Sequence, residues 1–245
     1  MTMIFAMAGA SSRFTNAGYK CPKYMLSLND KSVFYRAVSG FRRYFGVFRF
    51  VFVYRDLQDS RHFIDKECKK LKLSNYKAIE LPNLTQGQAQ SVYESLCRLG
   101  TANNESILIF NIDTFRADFA LPSAFDLDKI DGYLEVFRAD GTQWSFVLPK
   151  DENLCSVAQT AEKDRISPLC SSGLYYFRKC GDFKAVFESM LKNNATSKGE
   201  YYIAPMYNAL IKQGKDIRYD EISPNKLTFC GTPSEYEQLK QKESL

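Results

Sequence analysis

Histidine is almost absent from this chain of 245 residues, in which His62 is the only one. A mechanism that needs two histidines, such as an HExxH metal site, is therefore excluded. Cysteine occurs seven times, but the number is odd and no two cysteines form a CxxC pair. Neither a disulfide framework nor a zinc site is predicted. Because unpaired thiols are typical of a reducing compartment, we expect a cytoplasmic protein.

Long apolar runs are missing as well. No stretch approaches the roughly 20 apolar residues that span a bilayer, and Arg13 follows the apolar segment 3–8 too closely for a signal peptide. The net charge is +5, without a basic stripe or tail. We therefore expect neither a membrane nor a nucleic-acid partner, whereas a mild positive charge suits small anionic substrates.

Strands and helices are predicted to alternate through the first 113 residues. The predicted strands cover 3–8, 47–54, 76–81 and 106–110, and the predicted helices between them cover 31–45, 59–72 and 88–99. This alternation predicts an α/β fold whose sheet is mostly parallel and Rossmann-like, with helices on both faces. Because such sheets bind ligands at the carboxyl ends of their strands, we expect the loop after the first strand to share one cleft with Asp113.

The second half is predicted to be richer in strands. Strands are expected over 132–138, 144–149, 154–160 and 173–178, followed by helices near 181–192 and 201–213. The acidic residues between Asp118 and Asp131 are interpreted as caps and a solvated face around a further helix. Since no linker or repeat interrupts the chain, we predict one domain, 1–245, with two lobes of which the second is β-rich.

Small and basic residues follow the first predicted strand. The sequence reads M-A-G-A-S-S-R-F from Met7 to Phe14, and C-P-K starts at Cys21. Small residues let backbone N–H groups approach a polyphosphate, and Arg13 could clamp its oxygens. Pro22 restricts the backbone beside Lys23. Such a loop is weak evidence alone, because it fits neither GxGxxG nor GxxxxGKS.

The run from Met7 to Leu28 resembles the signature of the sugar-nucleotidyltransferase family, A-G-x-G-[ST]-R-x followed at a distance by P-K. Further segments resemble other motifs of that family in the same order: Thr85–Ser91 its base-recognition loop, 111–114 its metal-binding strand end, 162–163 with 172–177 its acceptor segment, and 199–202 with 231–233 its C-terminal landmarks. Five motifs in one order are specific, although each motif alone is not.

The resemblance implies a nucleotidyltransferase fold like that of GT-A enzymes, with a nucleotide-binding half, 1–113, and an acceptor-binding half, 114–245. Lys23 and Arg13 would be catalytic. The implied nucleotide-binding residues are Ala8, Gly9, Ala10, Ser11, Ser12, Arg13, Gln86, Gly87 and Asn111. The implied acceptor-binding residues are Glu162, Lys163 and Gly173.

Mg²⁺ is the cofactor that the resemblance implies, held by Asp113. The chain departs from the family pattern in two places. Ser11 stands where a second glycine is usual, and since serine tolerates positive φ poorly, we expect a rebuilt loop there. The acid that often precedes the last landmark as a second metal ligand is missing before Gly231, and Glu200 is the candidate that replaces it.

The expected reaction joins a nucleoside monophosphate from an NTP to a small phosphorylated acceptor, a sugar 1-phosphate, as in the synthesis of capsule and surface polysaccharides. One alternative is a cytidylyltransferase for a non-sugar metabolite such as phosphocholine. Another is a metal-dependent GT-A glycosyltransferase, although Asn111-Ile112-Asp113 is one acid short of D-x-D. A non-enzymatic sensor is a third alternative. The base of the NTP and a homo-oligomeric state stay open.

Overall fold

The elements follow one another along the chain in a regular order, and the computed structural model describes residues 1–242. The first half contains β1 (Thr2–Ala6), α1 (Ser12–Asn16), β2 (Ser27–Leu28), β3 (Lys31–Ser32), α2 (Val33–Ser39), β4 (Arg49–Tyr54), α3 (Ser60–Leu71), β5 (Tyr76–Glu80), α4 (Gln88–Arg98) and β6 (Ile107–Asn111). The second half contains β7 (Thr114–Arg116), β8 (Gly132–Arg138), β9 (Ser145–Asp151), β10 (Ser156–Glu162), β11 (Leu169–Phe177), α5 (Cys180–Lys192), α6 (Met206–Lys212), β12 (Ile217–Glu221), β13 (Leu227–Phe229) and α7 (Pro233–Lys242). Single 3₁₀ turns cover Lys23–Met25, Arg42–Tyr44 and Pro224–Lys226.

One sheet of nine strands extends through both halves, in the order β5-β4-β1-β6-β11-β8-β12-β10-β9. The strands β5, β4, β1 and β6 are parallel neighbours, as predicted for the first half. The second half differs from the prediction of a mostly parallel sheet. There β11 is antiparallel to β6, β8 and β9, and β10 is antiparallel to β12 and β9. A short turn joins β9 to β10, and strands joined by so short a turn must be antiparallel neighbours.

Helices cover both faces of the sheet, as predicted. Side chains alternate along β1, so that Met3 and Phe5 pack against α2 and α3, while Ile4 packs on the other face with α4, α5 and α6. Both clusters consist of fully buried apolar side chains, which supply most of the folding free energy. The two faces therefore hold the strands rigidly from either side.

The carboxyl end of the parallel strands forms an open edge. Ala6, the last residue of β1, is in register with Val53 of β4 and Asn111 of β6. Because these strands are parallel, the loops that follow β1 and β6 leave the same edge side by side. The segments at Gly9 and Asp113 are thus brought together by strand register, as the sequence predicts.

Two local predictions were wrong. Residues 117–131 contain turns and no helix, so Asp131 is not a helix cap; its carboxylate accepts hydrogen bonds from Arg178 and from the backbone of Asp216. The helix expected over 31–45 ends at Ser39. Gly40 lies against the Arg116 carbonyl, where an added Cβ would come within 2.0 Å of its oxygen. None of the helices within 1–242 has the length and apolar character needed to cross a bilayer.

Candidate active site

A cavity of about 900 Å³ opens at the carboxyl edge of the sheet. Its volume is near the upper end of the range for ligand sites, and residues of both halves line it. The predicted site residues among its lining are Ala8, Gly9, Ala10, Ser12, Arg13, Lys23, Gly87, Asn111, Asp113, Glu162, Lys163, Gly173 and Glu200. Ser11 and Gln86 are not among them. The expected single cleft is therefore present.

Ser11 has a backbone conformation that glycine adopts more readily than serine. It lies in the left-handed region, at φ 52° and ψ 31°, where a side chain costs about 1–2 kcal/mol. Its hydroxyl accepts a hydrogen bond from the Lys23 backbone at 3.4 Å. The Ser11 side chain thus connects the loop to the segment that carries Lys23, and a rebuilt loop stays a prediction.

Lys23 and Asp113 form an ion pair inside the cavity. The ammonium Nζ lies 2.5 Å from the carboxylate Oδ2, and 26% and 21% of the two side chains are exposed. Lys23 starts a 3₁₀ turn directly after Pro22, whose φ is −54°, and Asp113 follows the end of β6. Two residues with separate predicted roles therefore contact each other.

The loop before α4 requires glycine at position 87. Gly87 has a φ of 121°, and an added Cβ would come within 2.6 Å of the Tyr201 carbonyl oxygen. Gln86 is not among the lining residues, and its Nε2 donates to the Gly199 carbonyl oxygen at 2.9 Å. Gln88 lines the cavity instead, with its Nε2 donating to Asn111 Oδ1 at 2.8 Å.

Gly173 interrupts β11 where that strand passes Asn111. Its φ is 89°, and an added Cβ would lie 2.2 Å from the Asn111 Nδ2 atom. The pairing of β11 with β8 shifts register between Ser171 and Tyr175, as in a β-bulge. Glycine is therefore needed here by the fold itself, whatever the acceptor requires.

Glu162 and Lys163 lie at the end of β10. Ser145 donates a hydrogen bond to the Glu162 carboxylate, and burial raises the pKa of Glu162 despite this hydrogen bond and the Lys163 charge. Lys163 donates to the Tyr202 hydroxyl, and its Nζ lies 4.4 Å from the ring centre. Burial lowers the pKa of Lys163, but Tyr202 and the acids Glu162 and Glu200 outweigh this effect, and the pKa is raised overall. Lys163 thus stays cationic.

The sequence prediction missed several lining residues of the second half: Gln143, Trp144, Ser145, Tyr175, Tyr202 and Phe229. Trp144 packs against Phe229 with ring centres 4.8 Å apart and lines the cavity. Tyr202 belongs to the motif at 199–202, Tyr175 to the segment 172–177 and Gln88 to the motif at 85–91, so these three could have been identified. The other missed residues carry no local signal.

The segment after β13 also reaches the cavity. Glu235 Oε2 accepts hydrogen bonds from the backbone N–H groups of Gly231 and Thr232, both at 2.9 Å, and Thr232 Oγ1 accepts from the Glu235 backbone at 3.2 Å. This reciprocal arrangement is a capping box at the start of α7. Glu200, the predicted second metal ligand, acts electrostatically on Glu162 and Lys163.

Within residues 1–242, no group of three or more His, Cys, Asp or Glu side chains is arranged to hold a metal ion. All seven cysteines are unpaired. Any metal at this site would therefore need ligands besides protein side chains.

Known structures resemble this chain along its whole length. A nucleoside-diphosphate-sugar pyrophosphorylase from Vibrio cholerae RC9 is 39% identical, with a TM-score of 0.92, over 98% of this chain and 100% of that one. An inositol-1-phosphate CTP transferase from T. maritima (18% identity, TM-score 0.74, 99% and 95% covered) shares the fold. A UDP-glucose pyrophosphorylase complexed with UDP-glucose (16%, 0.75, 99% and 98%) shares it as well.

No protein-family model matches the chain, and no curated protein matches it. The identity to the Vibrio cholerae protein over the full length of both chains is nevertheless high enough to show common descent. The chain belongs to the nucleoside-diphosphate-sugar pyrophosphorylases, a family of sugar nucleotidyltransferases.

Proposed function

We propose that the protein transfers a nucleoside monophosphate from an NTP to a sugar 1-phosphate and releases pyrophosphate. The observation that carries the proposal is the meeting of cationic side chains from both halves in one cavity, Arg13 and Lys23 from the first and Lys163 from the second. Two phosphate-bearing substrates require two such groups. The 39% identical relative is described as a nucleoside-diphosphate-sugar pyrophosphorylase, which supports a sugar phosphate as the acceptor.

The reaction is an in-line displacement at phosphorus. An oxygen of the acceptor phosphate forms a bond to the α-phosphorus of the NTP, and the bond from that phosphorus to the α–β bridging oxygen breaks. The electron pair leaves with pyrophosphate. Because the acceptor phosphate is already anionic near neutral pH, no general base is needed, and catalysis reduces to alignment and charge stabilisation.

The first half holds the nucleotide. Backbone N–H groups of the loop from Ala8 to Ser12 face the polyphosphate, and Arg13 binds its outer oxygens. Lys23 leaves Asp113 for the α-phosphate, where its charge stabilises the oxygens in the transition state. Gln88 and Asn111 are the amides available to the base or ribose, and Gly87 lets the nucleotide approach the backbone.

The second half holds the acceptor. Lys163, kept cationic by Tyr202 and two acids, binds the acceptor phosphate and aligns it for attack. Glu162 accepts hydrogen bonds from sugar hydroxyls. Trp144 and Phe229 supply an apolar wall on which a sugar ring packs.

Mg²⁺ is the metal that fits this donor set. It prefers oxygen ligands and is commonly bound by one or two carboxylates together with substrate phosphates, and the Asp113 carboxylate already holds a cation, the Lys23 ammonium. When bound, Mg²⁺ would neutralise charge on the triphosphate and on the departing pyrophosphate.

A second acceptor class has an observation in its favour. Trp144, Tyr202 and Phe229 place aromatic rings along the cavity that also contains the Glu162 carboxylate, and aromatic rings with an acid bind quaternary ammonium groups. A phosphocholine-like acceptor is therefore the alternative. The glycosyltransferase alternative lacks comparable support.

The cellular setting is part of the proposal. Seven unpaired thiols favour the cytoplasm. There the product, a sugar nucleotide, would supply a glycosyltransferase that builds a surface polysaccharide such as a capsule. A homo-oligomer stays a prediction.

A substrate panel tests the function. The protein is incubated with each common NTP, Mg²⁺ and one of several sugar 1-phosphates or phosphocholine, and pyrophosphate release is followed. We expect release with one sugar 1-phosphate and one preferred base, and none without acceptor or in excess EDTA. Release with phosphocholine alone would favour the second acceptor class. If no pair of substrates gives pyrophosphate, the proposed function is wrong.

A further inference from the structure

The space above Gly231 lies between two carboxylates. A Cβ added to Gly231 would lie 3.1 Å from Asp113 Oδ2 and 3.7 Å from Glu235 Oε2. Gly231 is not among the glycines with positive φ, so its backbone conformation does not itself require glycine. Because Gly231 has no side chain, there is room between Asp113 and Glu235.

The Glu235 carboxylate is fixed in this position. Its Oε2 accepts from the backbone N–H groups of Gly231 and Thr232, and Thr232 in turn caps the Glu235 backbone. The Asp113 backbone is held as well, because its carbonyl oxygen accepts a hydrogen bond from the Cys230 backbone at 2.8 Å. Both carboxylates therefore lie beside Gly231 before any ligand binds.

A bound nucleotide would add negative charge beside the two carboxylates, and a further cation would compensate it. Two carboxylates, Asp113 and Glu235, line the same cavity as the two cations Arg13 and Lys23. A triphosphate would meet both carboxylates, and like charges at such short range repel strongly. A divalent cation between the carboxylates and the phosphate oxygens removes this repulsion.

We propose that Glu235 is the second carboxylate of a divalent-metal site whose first carboxylate is Asp113, and that the ion lies over Gly231. Glu235 thereby supplies the acid that is missing before Gly231 in the sequence. The ligand is a hard divalent cation such as Mg²⁺ or Mn²⁺, completed by phosphate oxygens and water. The inference rests on the proposed function, which requires a metal in this cavity.

Mn²⁺ alone, titrated into the full-length protein and followed by electron paramagnetic resonance, is the probe. Glu235→Gln is the informative variant, because glutamine also serves in a capping box and only the charge is removed. We expect Glu235→Gln to weaken Mn²⁺ binding about tenfold or more with an unchanged melting temperature. Gly231→Ala, which fills the space, is expected to weaken it as well.

Glu237→Gln is the matched control, since it removes an acid from the same helix two residues further on, and we expect it to bind Mn²⁺ like the wild type. Equal Mn²⁺ affinity of Glu235→Gln and wild type would overturn the inference. So would a loss in Glu200→Gln that Glu235→Gln does not show, or a wild-type protein that binds no Mn²⁺.

The substrate panel distinguishes a failure of the Glu235 assignment from a failure of the proposed function. If the wild type transfers nucleotide in the panel but Glu235→Gln keeps its Mn²⁺ affinity, only the assignment of Glu235 fails. If the wild type transfers nothing to any acceptor, the proposed function fails, whatever the Mn²⁺ titration shows.

Discussion

Lys23 and Asp113 pair with each other in the cavity, and this ion pair competes with the partners that each residue has in the proposed reaction. In the structure they satisfy each other, with Nζ and Oδ2 2.5 Å apart. In the proposed reaction each has another partner, the α-phosphate for Lys23 and a divalent cation for Asp113. The ion pair therefore keeps both charges compensated until the substrates arrive.

Replacing Lys23 should separate these two roles. We expect Lys23→Met to lower kcat about 10²–10³-fold, the usual cost of losing one aimed charge, and at the same time to tighten Mn²⁺ binding without nucleotide, because the ammonium no longer occupies Asp113. Steady-state kinetics and the Mn²⁺ titration measure the two effects. Arg13→Met, which removes a different cation from the same cavity, is the control. Weaker Mn²⁺ binding in Lys23→Met would contradict the competition.

The buried carboxyl group of Asp220 should make the stability of the protein depend on pH. It pairs in register with Glu135 across β12 and β8, and burial raises its pKa above the ordinary value of 3.8 although Arg116 opposes the shift. An acid whose pKa is raised by folding destabilises the protein above that pKa. The cost disappears as the pH falls through the raised pKa toward the value of the unfolded chain.

Asp220→Asn should therefore raise the melting temperature relative to wild type at about pH 7, and the gain should shrink as the pH is lowered toward about 4. Thermal unfolding of both proteins across this range measures the difference. A difference that does not change with pH would show that the ionisation of Asp220 does not affect stability.

Among the elements, α7 supports the segment that carries Arg13, although the two are far apart in the sequence. The Tyr236 ring packs against Phe14 and Tyr19, with ring centres 6.3 Å and 5.6 Å apart, and its hydroxyl donates to the Ser27 carbonyl oxygen at 2.7 Å. Phe14 directly follows Arg13. The C-terminal helix thus holds the segment that carries Arg13.

Truncating Tyr236 should affect both stability and nucleotide binding. We expect Tyr236→Ala to lower the free energy of unfolding by about 3–5 kcal/mol, as for other large buried aromatic residues, and to weaken NTP binding because the Arg13 segment loses its support. Tyr236→Phe should cost only about 1 kcal/mol for one hydrogen bond. Urea unfolding and calorimetry measure these effects. Unchanged NTP affinity in Tyr236→Ala would show that α7 only stabilises the fold.

The helices and strands that were predicted correctly are those with a clear apolar pattern in the sequence. The apolar and aromatic residues of β8 predicted a strand over 132–138, and the structure has Gly132–Arg138. In contrast, α7 was missed, because Tyr236 is its one buried apolar residue. The short strands β7 and β13 were missed as well, since three residues carry no periodic signal and each strand is stabilised by the other. The end of α2 has a local signal, Gly40, and the contact of Gly40 with the Arg116 carbonyl is seen only in the folded protein.

The molecule as a whole brings cationic residues of both halves into one cavity, Arg13 and Lys23 from the first and Lys163 from the second, where we propose two substrate sites. Lys163 tests this division. We expect Lys163→Met to raise the acceptor KM about 10- to 100-fold and to lower kcat, because a loosely held phosphate is misaligned, whereas NTP affinity without acceptor should hardly change. Tyr202→Phe, which removes only the hydroxyl partner of Lys163, should have a smaller effect. A Lys163→Met protein that loses NTP binding but keeps its acceptor KM would contradict the two-half arrangement.

The chemistry of the site was largely readable from local sequence. The small residues after β1, the Pro22-Lys23 pair, the acid after β6 and the Glu162-Lys163 pair are each defined by neighbours in the chain, as are the turns and the periodic strands. The family resemblance that these features carry implied the reaction class and thirteen residues that do line the cavity. The alternation of strands and helices predicted the parallel half of the sheet, because it allows few other arrangements.

Contacts between distant residues were decided only by tertiary structure. The ion pair of Lys23 with Asp113 joins residues 90 positions apart, and it depends on the register of β1 with β6. The approach of Glu235 to Asp113 depends on how α7 packs against Phe14 and Tyr19. Strand order, register and helix packing result from the burial of the whole apolar core, and short segments do not encode them. The side chains beside Asp113 could therefore be identified only in the folded protein.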